Sequence, residues 1–443
     1  MRRFAVRWPS QLRGFSERWI HIGIIGFVFK WALLGGLVGL LTGSASALFL
    51  NALEWATDTR MTHPWLLWLL PVGGALVSYL YAKLGKDSAK GNNLILERIH
   101  EGGGNVPLRM APMVLFGTIV THLFGGSAGR EGTAVQMGGS LSGWIGSVMR
   151  LGPADRKIIL MCGISSGFGS VFGTPLAGTL FGLEVLAIGL IRYEALVPCF
   201  IASLVGDRVT AAWGVRHLTY SMGAVPGFST ALLLKIALAS VMFGLCALLF
   251  SELTHWLKAV FSRTFRHPAV KSFCGGLLLI GMVYLFGTRD YLGLGIPLIQ
   301  QSFQESAAPF AFLLKTLFTS VTLGAGFQGG EVTPLFAIGS SLGSAMAPYL
   351  HVPVPFLAAI GFIAVFSGAT NTPIACFVMG MELFGSEGAL YVFVGCAISF
   401  LFSGHTGIYT AQRIGVSKNR AAAVADNATL ATLRDRKKEK DGG

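Results

Sequence analysis

Apolar segments recur along the chain at 23–54, 64–84, 111–125, 134–149, 157–173, 176–191, 194–213, 227–259, 270–287, 309–324, 335–350, 355–370, 374–384 and 388–403. A helix needs about 20 apolar residues to cross a hydrocarbon core, and several of these blocks are shorter. Short, glycine-interrupted helices inside a membrane usually end at an ion site in the interior, where their free N-terminal amides favour an anion. The pattern therefore predicts an all-helical membrane protein in which some helices break inside the bilayer. The alternative, re-entrant segments of purely structural purpose, loses ground once the blocks are compared with one another.

The second half of the chain repeats the first at an offset near 200 residues. Thr174-Pro175-Leu176-Ala177, followed by Gly182 and Glu184, matches Thr372-Pro373-Ile374-Ala375, followed by Gly380 and Glu382. Gly129-Arg130-Glu131-Gly132-Thr133 matches Gly329-Gly330-Glu331-Val332-Thr333, and Gly139-Ser140 matches Gly339-Ser340. Gly91-Asn92-Asn93-Leu94-Ile95 pairs more weakly with Gly293-Leu294-Gly295-Ile296-Pro297. Two homologous halves facing each other are a common way to build a site at the membrane midplane.

Composition points the same way. Of 443 residues, 53% are hydrophobic and only 12% charged, with a mean hydropathy of +0.63; soluble proteins carry about a quarter of their residues as charges. The 59 glycines suit close helix packing in lipid. The net charge of +13 is gathered outside the apolar blocks, on Arg2, Arg3, Arg7, Arg13 and Arg18 at one end and Arg434, Arg436, Lys437, Lys438 and Lys440 at the other. Positive flanks stay inside the cell, so both termini are expected to be cytoplasmic. Because the basic residues flank apolar spans and form no stacked-aromatic surface, nucleic acid is not the partner they suggest. The first apolar run is too long for a cleaved leader. Six cysteines sit singly in apolar stretches and read as buried thiols, and the nine histidines show no metal-ligand spacing. No cofactor or metal is expected.

The chemistry centres on Glu131, just before the apolar run that opens at Ala134. A carboxylate at the N-terminus of a buried helix occupies the place where amides and dipole favour negative charge. It would compete there with an anion, and protonation would remove it as a competitor, coupling anion movement to protons. The bland alternative is a capping glutamate with no ion traffic. An ionisable residue inside a membrane is a functional candidate by default. Gly125-Gly126-Ser127-Ala128-Gly129 also fits the G-x-S-x-G hydrolase pattern, but that chemistry needs a strand–turn–helix elbow and a placed histidine. The nearest histidine, His122, lies on the same short segment, so an enzyme is not expected.

Gly129-Arg130-Glu131-Gly132 resembles the GREGP motif of the CLC chloride channel and transporter family. Gly330-Glu331-Val332-Thr333-Pro334 is similar to that family's GxFxP motif and Gly91-Asn92-Asn93-Leu94-Ile95 to its GSGIP motif, while Tyr409 stands where the family's pore tyrosine occurs. The resemblance runs over about residues 25–412. It implies a CLC-type fold of two inverted-topology helical repeats with broken and re-entrant helices: a basic cytoplasmic segment 1–22, a first repeat 23–213, a second repeat 214–412, and a charged cytoplasmic tail 413–443. It also implies a homodimer with a separate pathway in each subunit. Position by position, Glu131 takes the place of the gating glutamate, Tyr409 that of the tyrosine donating to the central anion, Asn92 that of the anion-binding serine, and the amides of Glu331 and Val332 those lining the site.

The departures narrow the resemblance. Thr133 replaces the proline after GREG, Val332 the phenylalanine of GxFxP, and Val185 the family's inner proton-transfer glutamate; a new acid, Glu331, stands at the second half's equivalent of Glu131. This set is similar to the fluoride/proton antiporter branch, CLC-F. Fluoride is small and strongly hydrated, so a site for it needs several close donors. The Asn92 amide offers two N–H donors where serine offers one O–H, and Thr133 and Thr333 add hydroxyls near the two glutamates. Arg130 could draw anions into an outer vestibule or pair with Glu131. Glu184 and Glu382 read as structural or portal carboxylates, with Glu184 the nearest substitute for the missing inner acid. The implied function is fluoride export from the cytoplasm across an inner (plasma) membrane, driven by inward protons. A chloride- or nitrate-type CLC proton exchanger and a passive CLC anion channel remain the alternatives.

Overall fold

The computed structural model describes residues 10–419 and 428–441, with backbone alone for 10–20, 22 and 436–441. Arg2, Arg3 and Arg7 lie outside the described residues. The apolar blocks become helices, and they do so twice in the same order. Helix Ser10–Thr62 answers to Thr230–Thr264, Leu70–Leu80 to Pro268–Phe286, Asn92–His100 to Ile296–Gln304, and Met110–Leu123 to Ala311–Gly324. The series continues with Glu131–Val148 and Val332–Leu350, Pro153–Phe172 and Val354–Thr370, Pro175–Glu184 and Pro373–Phe384, Leu196–Ala212 and Ala389–Phe402. Proline opens the helices at Pro153, Pro175 and Pro373, where its missing N–H is an orphan in any case.

Among the described residues, five helical stretches are long and apolar enough to cross a membrane, including Gly23–Thr62, Thr230–Thr264 and Pro268–Phe286. Their outer faces expose large apolar side chains such as Phe29, Leu33, Leu234, Leu238 and Leu285, an apolar band that water would not tolerate and lipid does. Exposed Trp55, Trp65, Trp68 and Trp213 sit near helix ends, as amphipathic rings do at a membrane–water boundary. Helices Asn92–His100 and Pro175–Glu184 are too short to cross, and each has one end buried in the protein, at Asn92 and Glu184.

Glycine sets the spacing between helices. A Cβ on Gly138 would lie 2.2 Å from the carbonyl oxygen of Gly163, and one on Gly163 would lie 2.4 Å from that of Gly138. The second half repeats the contact: a Cβ on Gly339 would meet the Gly361 oxygen at 2.1 Å, and the reciprocal distance is 2.2 Å. Gly39 and Gly43 face the backbone of helix Leu196–Ala212 at Ala202 and Gly206, so this small-residue stripe packs within the chain. Aromatic rings meet between the two halves, with Phe168 stacked over Phe366 at 6.0 Å and Phe172 edge-on to Phe336 at 5.3 Å.

The segment after Thr410, read from the sequence as a charged tail, packs back onto the helices. Arg413–Ile414 pairs in parallel with Ala187–Ile188, and Thr429 bridges back to Arg413. Leu430 is buried against Ile188 and Ile414, and Arg434 meets Glu252 at 2.6 Å. Isolated apolar residues such as Ile414 and Leu430 carry no periodicity of their own, so only the tertiary fold shows what they pack against.

Gly138→Val should overpack the helix crossing and destabilise the protein by about 1–3 kcal/mol, read as a lower Tm in detergent. Gly281→Ala, where nothing stands within 4 Å, should leave Tm unchanged or slightly raised.

Candidate anion site

Residues 125–130 form a tight turn between two helices, and the second half of the chain clamps it. Gly125 has φ +94°, a conformation few other residues adopt. The Ser127 amide donates to Thr322 Oγ1 and its hydroxyl pairs with Thr319 Oγ1. Next, Gly129 and Gly330 form an antiparallel bridge: Gly129 N donates to Gly330 O at 2.6 Å and Gly330 N to Gly129 O at 2.9 Å. The bridge sets the N-termini of Glu131–Val148 and Val332–Leu350 side by side.

Glu131 crosses that junction. Its side chain is 1% exposed, and its carboxylate caps the other half's helix. Oε1 accepts from Val332 N at 2.6 Å; Oε2 accepts from Thr333 N at 3.2 Å, Thr333 Oγ1 at 3.1 Å and Arg130 N at 3.0 Å. A Cβ on Gly330 would lie 2.0 Å from Oε1, so a side chain there would expel the carboxylate. Hydrogen bonds to an ionised acceptor are about twice as strong as neutral ones, and the helix dipole adds to them.

Among the described residues, no side chain caps the first amides of Glu131–Val148, and the Glu331 carboxylate makes no hydrogen bond to them. Asn92, 8% exposed, stands at that junction instead, with Nδ2 3.2 Å from where a Cβ on Gly132 would sit and Oδ1 buried without a partner. Asn93 points elsewhere, its Oδ1 accepting from Ala411 N. Glu331 lies within electrostatic reach of Glu131 and Lys258. Tyr409, 4% exposed, packs edge-on against Phe181 and feels the charges of both glutamates.

The sequence profile of the voltage gated chloride channel family matches residues 73–404. The chain belongs to the voltage-gated chloride channel (CLC) family. It is 54% identical to the "Chloride/fluoride channel protein" of Pseudomonas syringae pv. tomato over 90% of each chain. It is 27% identical to the H(+)/Cl(-) exchange transporter ClcA of Cronobacter sakazakii, over 79% of this chain and 81% of that one. A crystal structure of a CLC-type fluoride/proton antiporter superposes with a TM-score of 0.85 at 34% identity, covering 87% of this chain and 98% of that one.

In this CLC chain the two threonines expected beside the glutamates part company. Thr333 donates to Glu131, whereas Thr133 is buried with its hydroxyl 2.6 Å from Thr118 Oγ1. The Arg130 guanidinium lies over the Phe172 ring at 5.7 Å and makes no ion pair with Glu131 among the described residues. It lines a small cavity of about 30 Å³ together with His217, Tyr220 and Thr333. Val185 fills the inner acid's place with an apolar, 1% exposed side chain, and its carbonyl accepts from Gln412 Nε2.

Glu184 and Glu382 cap each other's repeats. Glu382 accepts from Leu176 N at 2.9 Å and Ala177 N at 2.7 Å, while Glu184 accepts from Ile374 N at 3.2 Å and Ala375 N at 2.8 Å. The hydrolase pattern meets no such support: Ser127 is fully buried, bonded to Thr319 and Lys315, and the His122 ring sits between the carbonyls of Thr118 and Ala128.

Two residues escaped the sequence reading. Gln136 packs its amide against Gly91 beside Asn92, with Oε1 buried and unpartnered. Its place on the helix that opens with Glu131 was the available signal. Lys315 is fully buried, donating to Ser127 Oγ at 3.0 Å, Tyr291 O at 3.0 Å and Gly293 O at 2.8 Å. A lone lysine in an apolar block was its signal.

Glu382→Ala should uncap helix Pro175–Glu184 and cost about 1.5–3 kcal/mol of stability, read as a lower Tm. Glu382→Gln, which keeps an acceptor, should recover part of the loss.

Proposed function

We propose that this protein exports fluoride from the cytoplasm in exchange for inward protons, as a homodimer in an inner (plasma) membrane with both termini cytoplasmic. The observation that carries the reading is the Glu131 carboxylate seated on the N-terminus of Val332–Leu350, held by two amides and the Thr333 hydroxyl. Those donors suit a compact, charge-dense anion as well as they suit a carboxylate oxygen. Protonation cancels the charge for which Glu131 is held, and fluoride takes the donors it gives up. Return of the carboxylate displaces fluoride and releases the proton on the other side, so each passage of the anion is tied to protons.

Support for fluoride comes from the donors and from the relatives. Asn92 and the uncapped amides of Glu131–Val148 supply donors on one side of the junction, and Val332 N and Thr333 on the other. A small, strongly hydrated anion requires such a shell to replace its water. The Pseudomonas relative is described as a chloride/fluoride channel and the solved relative as a fluoride/proton antiporter. In this scheme Glu331, half-buried and within electrostatic reach of Glu131, shares a proton with fluoride as it leaves Val332 and Thr333. Basic flanks support cytoplasmic termini, and the homodimer follows from the family resemblance. The word "channel" in the Pseudomonas description favours a second reading, passive conduction.

Reconstituted in liposomes, the protein should release fluoride much faster than chloride, and a fluoride gradient should drive uphill proton movement. Fluoride release without that proton movement would identify a channel, and equal chloride release would remove the fluoride assignment. Glu131→Gln should lower proton-coupled fluoride exchange at least about tenfold, or 1.4 kcal/mol; exchange at the wild-type rate would exclude Glu131 as the coupling group. Thr333→Val, which removes a hydroxyl that holds the site, should slow fluoride by about three- to tenfold. Thr133→Val, whose hydroxyl is turned to Thr118, should slow it less.

A further inference from the structure

Away from the Glu131 junction, four segments bring cationic or imidazole side chains to one cavity of about 300 Å³. His100 comes from the end of helix Asn92–His100, Lys157 from the first turns of Pro153–Phe172, Arg192 from the loop before Leu196–Ala212, and Arg413 from the strand pair with Ala187–Ile188. The charges of Arg413, Arg192 and Lys157 all act on the His100 ring, whose Nε2 donates to Leu186 O at 3.1 Å.

Negative charge is scarce there. Glu194, at 3.6 Å from Arg192, is the carboxylate on the lining. Asp155, the acid nearest Lys157 in sequence, is drawn off to Lys30. Lys157 and Arg413 have no carboxylate partner among the described residues. Ala154, beside Pro153 at the start of a 20-residue helix, also lines the cavity, so the positive end of that helix opens onto it. Among the described lining residues, three permanent cations against one carboxylate leave an excess of two positive charges. Apolar side chains including Ile158 and Met161 complete the lining.

We propose that this cavity is a binding site for a phosphoryl dianion, separate from the fluoride pathway. Its volume exceeds what a halide fills, its excess charge equals that of a hydrogen phosphate or phosphomonoester dianion, and its donors come from several directions, as a tetrahedral oxyanion requires. Arginine and lysine supply the charge, and the helix N-terminus supplies amides. Because Arg413 follows Tyr409 by four residues and is strand-paired to residue 187, the bound dianion ties the C-terminal segment to the first repeat. The phosphoryl group arrives either as free phosphate or on the headgroup of an anionic lipid.

The test is thermal unfolding of the full-length protein in nanodiscs, a readout independent of whether fluoride is the transported ion. In phosphatidylcholine discs, inorganic phosphate should raise Tm by a few degrees more than chloride at matched ionic strength. Lys157→Gln with Arg413→Gln should weaken the phosphate midpoint at least about tenfold. Glu194→Gln, which removes the opposing carboxylate, should strengthen it about threefold; this opposite sign keeps the test decisive if the double variant folds poorly. In discs containing phosphatidic acid, loss of the phosphate response names the lipid headgroup as occupant, and its persistence names free phosphate. Wild-type protein that responds no more to phosphate than to chloride in phosphatidylcholine, or a Glu194→Gln variant with an unchanged midpoint, would overturn the proposal.

Discussion

The amide end of helix Val332–Leu350 is satisfied by a carboxylate from the other half of the chain. Inside a bilayer, free backbone donors have no water to turn to, so something negative has to hold them. The antiparallel bridge between Gly129 and Gly330 brings the two helix ends close enough for Glu131 to reach, and the missing side chain at Gly330 leaves room for its oxygens. Glycine spacing, reciprocal caps and the aromatic stack between the halves keep this junction in place. Under the proposed function this group both supports the fold and competes with the transported ion, so stability and transport would be linked at the Glu131 carboxylate.

The same device recurs with one gap. Glu382 caps the first repeat's Pro175–Glu184, Glu184 caps the second repeat's Pro373–Phe384, and Glu131 caps Val332–Leu350. Symmetry would have Glu331 cap Glu131–Val148, and the described residues show no such bond. At that junction stand the buried amides of Asn92 and Gln136, each with an unpartnered oxygen. A duplicated scaffold thus supplies the frame, and the two halves depart from that duplication at this junction. The differing orientations of Thr133 and Thr333 express the same asymmetry.

Much of this was legible in the residues. Apolar blocks, the repeated Thr-Pro and Gly-x-Glu motifs, and the place of Glu131 before a buried helix were readable because each depends on local chemistry or on matching between the halves, whereas Asn92 and Tyr409 were singled out only by the family resemblance. Short-range sequence could not show that Thr133 turns to Thr118, that Glu184 and Glu382 exchange caps across about 190–206 residues, or that Lys315 reaches the Ser127 turn. Those contacts depend on rotamers and on which helices meet. The packing of the last segment was not legible for a related reason, since its apolar residues are too few to form a pattern and cluster only in the fold, around Ile188.

That strand pair also bears on how the molecule is made. The loop carrying Tyr409 is held by Leu430 N donating to Gln412 O and Ala431 N to Thr410 O, and by the clasp of Arg434 on Glu252. During synthesis, both repeats and the Glu131 junction can be inserted while residues 428–435 are still in the ribosome. The loop around Tyr409 therefore gains its last contacts only after both helical halves have been made, and a chain ending shortly after residue 412 would lack them.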